Sequence, residues 1–188
     1  MIEIWNYISN IGLQPSYNED LKKRIILQNR FNVLACIVYF VIGIVYFSFQ
    51  DNKTAFFIES LILLNVVSFY AQKKYAHTFS LSLFLISGYL SIFYFDSYAG
   101  LDSGAFLYYP AVAISLLFLF DIKGDKKVII GHFLAIILLI LIHQYTDRNL
   151  FKSEIMTAVM KSRLFTANLI LSSVSVCYFA YLAIKSEK

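Results

Sequence analysis

The chain alternates long apolar runs with short polar clusters. A bilayer core of about 30 Å needs about 20 apolar residues per helix, and six runs approach that length. Within them the residues do not alternate between apolar and polar, as they would in barrel strands. We therefore predict an all-α, polytopic membrane protein with six transmembrane helices, whose spans are approximately residues 30–49, 55–72, 78–95, 105–121, 128–145 and 164–184.

A short amphipathic segment precedes these runs, at residues 1–16. Ile2, Trp5 and Ile8 recur at helical spacing, which is typical of a helix lying in the membrane plane with its aromatic ring at the headgroups. Pro15 is expected to break this helix because proline cannot continue it. The segment is thus predicted to be a short N-terminal interfacial helix.

The rest of the chain, residues 17–188, is predicted to be the six-helix transmembrane domain. Its first helix is expected to begin near Tyr17, because Ser16 and Asn18 are both suitable N-cap residues. Its last helix is expected to run unbroken from Lys152 to Lys185, a stretch without glycine or proline. Such a helix is typical of a linker to a cytoplasmic domain, and equally of an ordinary C-terminus.

Charge sets the predicted orientation. Hydrophobic residues make up 59% of the chain and charged residues 15%, with a mean hydropathy of +0.67, whereas soluble domains are about a quarter charged. Of the 16 basic residues, eleven lie on the side of the N-terminus if all six runs cross the bilayer. Because basic loops stay in the cytoplasm, we predict an N-in/C-in membrane protein. The net charge of +4 is thus explained by topology, and no nucleic-acid partner is expected.

Sequence motifs for catalysis are absent. The chain contains no HExxH, GxSxG, P-loop or CxxC motif, so an enzyme is not expected, and no cofactor is predicted. Cys36 and Cys177 both lie inside apolar runs, where cysteine usually packs as a small apolar residue. The ligands of any metal are left unknown.

The candidate site centres on FDSYAGLDSGAFLYYP, residues 95–110. This stretch joins two apolar runs, carries two carboxylates and no basic residue, and should face outward. Pro110 is expected to kink the fourth span and to open space beside the neighbouring tyrosines. Charged and polar groups at the same predicted depth complete a ligand-binding set of Glu59, Asp96, Asp102, Tyr108, Tyr109 and His143.

Each of these residues also has an ordinary explanation. Glu59 can reach the outer interface or pair with a basic residue, and the tyrosines fit the aromatic belt of a membrane protein. His143 and Asp147 share a helix face, which is compatible with a metal site, a pH-sensitive cluster or a solvated helix end.

Three stretches carry a resemblance to a known family: LKKRIILQNRFNVLA, GLDSGAFLYYPAV and KSRLFTANLILSSVSV. They resemble the six-helix N-terminal membrane sensor modules of bacterial histidine kinases and nucleotide (adenylate) cyclases. The resemblance implies a sensor and dimeric anchor whose last helix runs into a cytoplasmic output domain. It also implies a multi-pass protein of the bacterial inner (cytoplasmic) membrane, and we accordingly expect a homodimer surrounded by membrane lipid.

The first hypothesis for function is a membrane sensor or regulatory module that binds a small ligand or ion in an outward-facing pocket and signals through its last helix. One alternative is a small-solute, vitamin-type substrate-binding membrane subunit or a transporter. Another is a structural membrane anchor without a ligand.

Overall fold

The computed structural model describes residues 2–146, 150–151 and 157–186. In this part of the chain the secondary structure is helical and contains no strand, which confirms the all-α class. Its α-helices are α1 (Ile2–Ser9), α2 (Glu19–Ser48), α3 (Asn52–Lys73), α4 (His77–Ala99), α5 (Tyr108–Leu119), α6 (Lys126–Tyr145) and α7 (Ala158–Ser186). Two 3₁₀ turns, Leu101–Ser103 and Ala105–Leu107, connect α4 to α5.

Four of these helices, α2, α3, α4 and α6, are long and apolar enough to cross a membrane. They contain the first, second, third and fifth predicted spans. The fourth predicted span corresponds to α5, whose 12 residues extend only about 18 Å at 1.5 Å per residue. The sixth lies within α7, and the count of six spans stays a prediction.

The chain divides into two compact units, Met1–Ser87 and Gly88–Lys188, with the boundary inside α4. In the first unit, short links with defined caps separate the helices. Asn18 accepts a hydrogen bond from the Leu21 amide at 2.8 Å, so that α2 begins close to the predicted position. Asp51 caps α3 in the same way, accepting from the amide of Thr54 at 3.2 Å.

Polar side chains buried in the first unit join α2, α3 and the first half of α4. Gln28 donates to the Ser80 hydroxyl at 2.7 Å, and Asn32 donates to the Ser68 hydroxyl at 3.1 Å. Ser68 and Ser80 in turn exchange hydrogen bonds with each other's backbone carbonyls, at 2.8 and 2.7 Å. We call Gln28, Asn32, Asn65, Ser68, Ser80 and Ser87 the amide–serine ladder.

Asn65 continues the ladder further along α3. Its amide donates to the Leu61 carbonyl at 2.7 Å and to the Ser87 hydroxyl at 3.0 Å, while Tyr39 donates to the Ser87 carbonyl at 3.1 Å. Hydrogen bonds between apolar helices fix their register, because a shifted helix would leave polar groups unsatisfied. This register was not predicted from the sequence.

The N-terminal helix α1 docks onto α2. Asn29 donates to the carbonyls of Ser9 and Ile11, at 3.0 and 2.9 Å, and so caps the end of α1. The chain then turns at Gly12, which has a φ of +80° and lies against the Gln72 backbone. The predicted helix is therefore confirmed, although it ends at Ser9 and not at Pro15. Its position in the membrane plane stays a prediction.

The kink predicted at Pro110 is not what the second unit shows. Helix α5 begins at Tyr108, so Pro110 occupies its first turn. The missing N–H of proline is harmless there, because the first amides of a helix have no intrahelical acceptor. Pro110 therefore helps to begin α5 and does not bend a longer helix.

Helix α7 also begins later than expected. The Thr157 hydroxyl accepts a hydrogen bond from the Met160 amide at 3.2 Å, which caps the helix at Ala158. Residues 152–156, where the unbroken helix was predicted to begin, lie outside the described residues.

Replacing Gly12 by alanine is expected to destabilise the protein. An ideal Cβ there would lie 2.3 Å from the Gln72 carbonyl oxygen, and its φ disfavours any side chain. The free energy of unfolding should fall by more than about 1 kcal/mol, measured by thermal unfolding in detergent.

Gly131→Ala is the matched control, because nothing lies within 4 Å of its added Cβ and alanine favours a helix. Equal melting temperatures for the two variants would contradict the packing of Gly12 against Gln72 of α3.

Candidate functional site

The loop of residues 100–107, between α4 and α5, is shaped by two glycines. Gly100 has a φ of +79° and Gly104 a φ of +71°, a region that favours glycine. Between them the Leu101–Ser103 turn is closed by the Ser103 hydroxyl, which donates to the Gly100 carbonyl at 2.8 Å. The loop therefore has a defined conformation in which Asp102 is exposed.

Helix α7 packs directly on this loop. An ideal Cβ on Gly104 would lie 3.0 Å from Cδ2 and 3.4 Å from Cα of Phe165, so the glycine permits a close approach of the two backbones. Asn168 donates to the Ser103 carbonyl at 2.8 Å and accepts from the Tyr108 hydroxyl at 3.3 Å. One side chain of α7 thus holds both ends of the turn that leads into α5.

An open groove of about 610 Å³ lies between the loop and the first turns of α7. The loop contributes an acid and two apolar side chains, and α7 contributes a base, two hydroxyls and a phenyl ring. The lining residues are Leu101, Asp102 and Phe106 from the loop, and Ala158, Lys161, Ser162, Phe165 and Thr166 from α7.

The groove carries two opposite charges that are not paired with each other. Among the described residues, no oppositely charged group lies within 4 Å of the Asp102 carboxylate or the Lys161 ammonium. The ammonium is directed towards Gly100, where an ideal Cβ would be 3.8 Å from Lys161 Nζ. A ligand in the groove would therefore meet an anion and a cation beside apolar rings.

A second polar feature lies inside the second unit, between α4 and α6. His143 Nδ1 is 2.9 Å from Asp96 Oδ2, and the two side chains are 1% and 0% exposed. His143 Nε2 lies 2.9 Å from the Phe93 carbonyl oxygen and 2.7 Å from the Ser97 hydroxyl. The imidazole is therefore surrounded by polar groups of a single helix, α4.

The two ring nitrogens of His143 meet different partners. Nε2 can donate to the Phe93 carbonyl or accept from the Ser97 hydroxyl, so either tautomer of the imidazole has a partner on this side. Nδ1 lies beside the Asp96 carboxyl but is out of line for a hydrogen bond, so this contact is electrostatic.

The imidazole ring also stacks on the Phe93 ring, with centroids 4.1 Å apart and an interplanar angle of 3°. Contacts on its edge and on its face therefore hold His143 in one position against α4. Such a closed arrangement joins two helices and leaves little room for a ligand.

The structure places the six predicted site residues in different surroundings. Asp102 lines the groove. Tyr108 is bonded to Asn168 beside it, and Tyr109 is buried in the first turn of α5. Asp96 and His143 form the buried pair. Of the six predicted site residues, the structure thus brings together Asp96 and His143, and only Asp102 faces the open groove.

Glu59 belongs to the first unit, where it is exposed on α3. Its Cγ packs over Gly43 of α2, where an ideal Cβ would lie 3.1 Å away. In the part of the chain that the structure describes, no basic nitrogen lies within 4 Å of its carboxylate. Its role as a ligand residue stays a prediction.

A metal site has no support from the described residues, among which no three His, Cys, Asp or Glu side chains converge on a common point. Asp147, which was grouped with His143 in the sequence analysis, lies outside the described residues.

The α7 side of the groove was not predicted from the sequence. Ala158, Lys161, Ser162, Phe165 and Thr166 follow a spacing of i, i+3, i+4, i+7 and i+8, which defines one helix face. This pattern is visible in the sequence, and it could have grouped these residues. Nothing in the sequence alone indicated that this face packs on the 100–107 loop.

Comparison with protein-family models, with curated proteins and with solved structures gives no match for this chain. The resemblance to sensor modules therefore stays an expectation, and function has to be argued from the site.

His143→Ala should strongly destabilise the protein, because it removes the imidazole that contacts the buried Asp96 carboxyl. Breaking one side of a buried ion pair typically lowers the free energy of unfolding by about 3–5 kcal/mol. Thermal unfolding in detergent measures the effect, and Tyr145→Ala, which removes a side chain 92% exposed at the end of α6, is the control.

The double variant Asp96→Leu/His143→Leu should recover most of this loss, because apolar residues of similar volume often replace a buried ion pair without a large penalty. If the double variant is as unstable as His143→Ala, the interaction between Asp96 and His143 is not the cause of the lost stability.

Proposed function

We propose that the chain is a membrane sensor or regulatory module. In this proposal six helices cross a bacterial cytoplasmic membrane with both ends of the chain inside, and the 100–107 loop faces outward. A small ligand or ion binds in the groove beside the loop, and α7 carries the signal to a cytoplasmic output domain in a homodimer.

The observation that carries the proposal is that α7 forms one wall of the groove. Lys161, Ser162 and Phe165 are within its first turns, so an occupant would contact the signalling helix directly. With 29 residues, α7 extends about 43 Å at 1.5 Å per residue, which exceeds the hydrocarbon thickness. A movement at its beginning can therefore reach the other side of the membrane.

Signalling also needs two arrangements of α7 to which the ligand binds with different affinity. The contact between loop and helix rests on two hydrogen bonds of Asn168 and on the close approach at Gly104. The 100–107 loop and α7 are also the two walls of the groove. An occupant that moves these walls apart or together would therefore strain or relieve the contact between loop and helix. A ligand-free anchor offers no reason for two opposite charges to face an open groove.

The orientation can be tested by thiol labelling in intact cells. In a chain whose two cysteines are replaced by serine, Leu101→Cys should react with a membrane-impermeant reagent, because Leu101 is 52% exposed in the loop that we place outside.

The matched position is Ile122→Cys, 56% exposed in the link between α5 and α6 that we place in the cytoplasm. It should react only after the cells are opened. The opposite labelling pattern would contradict the proposed orientation.

The signalling role can be tested without knowing the ligand, by filling the groove chemically. In the same cysteine-free background, Ser162→Cys is modified with N-ethylmaleimide, and hydrogen exchange of the backbone is compared before and after modification. We expect exchange rates to change by at least about fivefold in the part of α7 beyond the groove.

Val174→Cys, which is exposed on α7 outside the groove, receives the same modification as a control and should leave the first turns of α7 unaffected. A change confined to the groove residues after modification of Ser162→Cys would contradict the signalling role.

A further inference from the structure

The groove combines chemical groups that together indicate a class of ligand. Asp102 and Lys161 both line it, and neither is neutralised by an opposite charge within 4 Å among the described residues. A purely anionic ligand would meet the Asp102 carboxylate, and a purely cationic one would meet the Lys161 ammonium. A ligand with both charges satisfies both side chains.

The hydroxyls of α7 extend this complementarity. Ser162 follows Lys161 directly and can donate a hydrogen bond to the same anion. The Thr166 hydroxyl already donates to the Ser162 carbonyl at 3.2 Å, so only its lone pairs are left for the ligand. An ammonium with N–H donors fits such acceptors, whereas a quaternary ammonium does not.

The anion is best matched by a phosphate. The Lys161 ammonium has three donors, the Ser162 hydroxyl adds a fourth, and phosphate presents several strong acceptor oxygens to a compact cation of this kind. Phe106 and Phe165 then supply apolar contact for a short carbon chain next to the charged groups.

We propose that this groove binds the phosphoethanolamine group, with its ammonium at Asp102 and its phosphate at Lys161. The inference rests on the proposed function, whose ligand it specifies. The group has two sources of the same chemistry: the headgroup of phosphatidylethanolamine, reached from the membrane, and free phosphoethanolamine.

The test is lipid retention by the full-length protein, measured by native mass spectrometry. The protein is equilibrated with equal amounts of phosphatidylethanolamine, phosphatidylcholine and phosphatidylglycerol. We expect it to retain the first about tenfold more than either of the others, since only that lipid has both a phosphate and an ammonium with N–H donors. Asp102→Asn should abolish this preference, whereas Lys161→Gln should lower retention of all three lipids, because they share the phosphate.

Two charge-removing variants outside the groove serve as controls. Arg163→Gln removes a neighbouring exposed charge of α7, and Asp20→Asn removes an exposed acid of α2. Both should retain the preference for phosphatidylethanolamine. A preference that survives Asp102→Asn, retention that is unchanged by Lys161→Gln, or a preference lost equally in the controls would overturn the assignment.

A second measurement uses the unmodified protein and distinguishes the two sources. Free phosphoethanolamine is added to delipidated protein in detergent, with glycerol phosphate and ethanolamine as controls, and the melting temperature is recorded. A rise with phosphoethanolamine alone indicates the free compound as a ligand. Selective lipid retention without such a rise indicates the headgroup. If the protein shows neither a rise in melting temperature with phosphoethanolamine nor selective retention of phosphatidylethanolamine, the proposed ligand class is overturned.

This result is separable from the test of signalling. If modification of Ser162→Cys alters α7 but no phosphoethanolamine compound binds, the ligand class is wrong while the sensor role stands. If phosphoethanolamine binds and α7 does not respond to the filled groove, the site is a binding site without the proposed signal.

Discussion

Polar groups buried among apolar helices have to be satisfied by neighbouring helices, and this constraint determines much of the packing in each unit. Water in a bilayer core is not available to compensate for a lost hydrogen bond. In the first unit the amide–serine ladder meets the constraint for its N–H and O–H donors, which find side-chain and carbonyl acceptors, whereas Asn32 Oδ1 has no hydrogen-bond partner among the described residues. In the second unit His143 meets it through Nε2, which lies within hydrogen-bond distance of the Ser97 hydroxyl and the Phe93 carbonyl, while Nδ1 contacts the Asp96 carboxyl.

The two polar features of the second unit differ in what they can do. The pair of Asp96 and His143 is closed, with both side chains almost fully buried and a phenyl ring stacked on the imidazole. The groove of Asp102 and Lys161 is open, and its charges have no partner within 4 Å among the described residues. Asp96 and His143 therefore contribute to helix packing, whereas Asp102 and Lys161 form the candidate site.

The helical class and four apolar helices follow from the sequence, because bilayer thickness dictates the length of an apolar run. The cap at Asn18 was one of two predicted choices, because cap chemistry is local. The roles of Pro110 and Thr157 were not foreseen. Both act at the beginning of a helix, and the sequence pattern does not define such a position to within a few residues.

The site was harder to predict because it depends on contacts between distant parts of the chain. Asp102 was identified from its local setting, as a carboxylate in a turn between apolar runs. His143 was grouped with it on predicted depth alone, and depth does not distinguish a side chain that faces a groove from one that faces a neighbouring helix. Lys161 was missed because the 100–107 loop, on which its helix packs, lies some 60 positions earlier in the chain. The same holds for Asn168, which is 65 residues from its partner Ser103.

Asn168 has a consequence for how this fold can change. It secures the 100–107 loop to α7 from a position outside the groove, whereas Lys161 and Ser162, which would contact an occupant, are about two turns earlier on the same helix. Substitutions at Lys161 and Ser162 can therefore alter what is recognised without removing the hydrogen bonds that attach the loop. The same scaffold is thus suited to acquire new ligand preferences, by evolution or by engineering, through a few exchanges on one helix face.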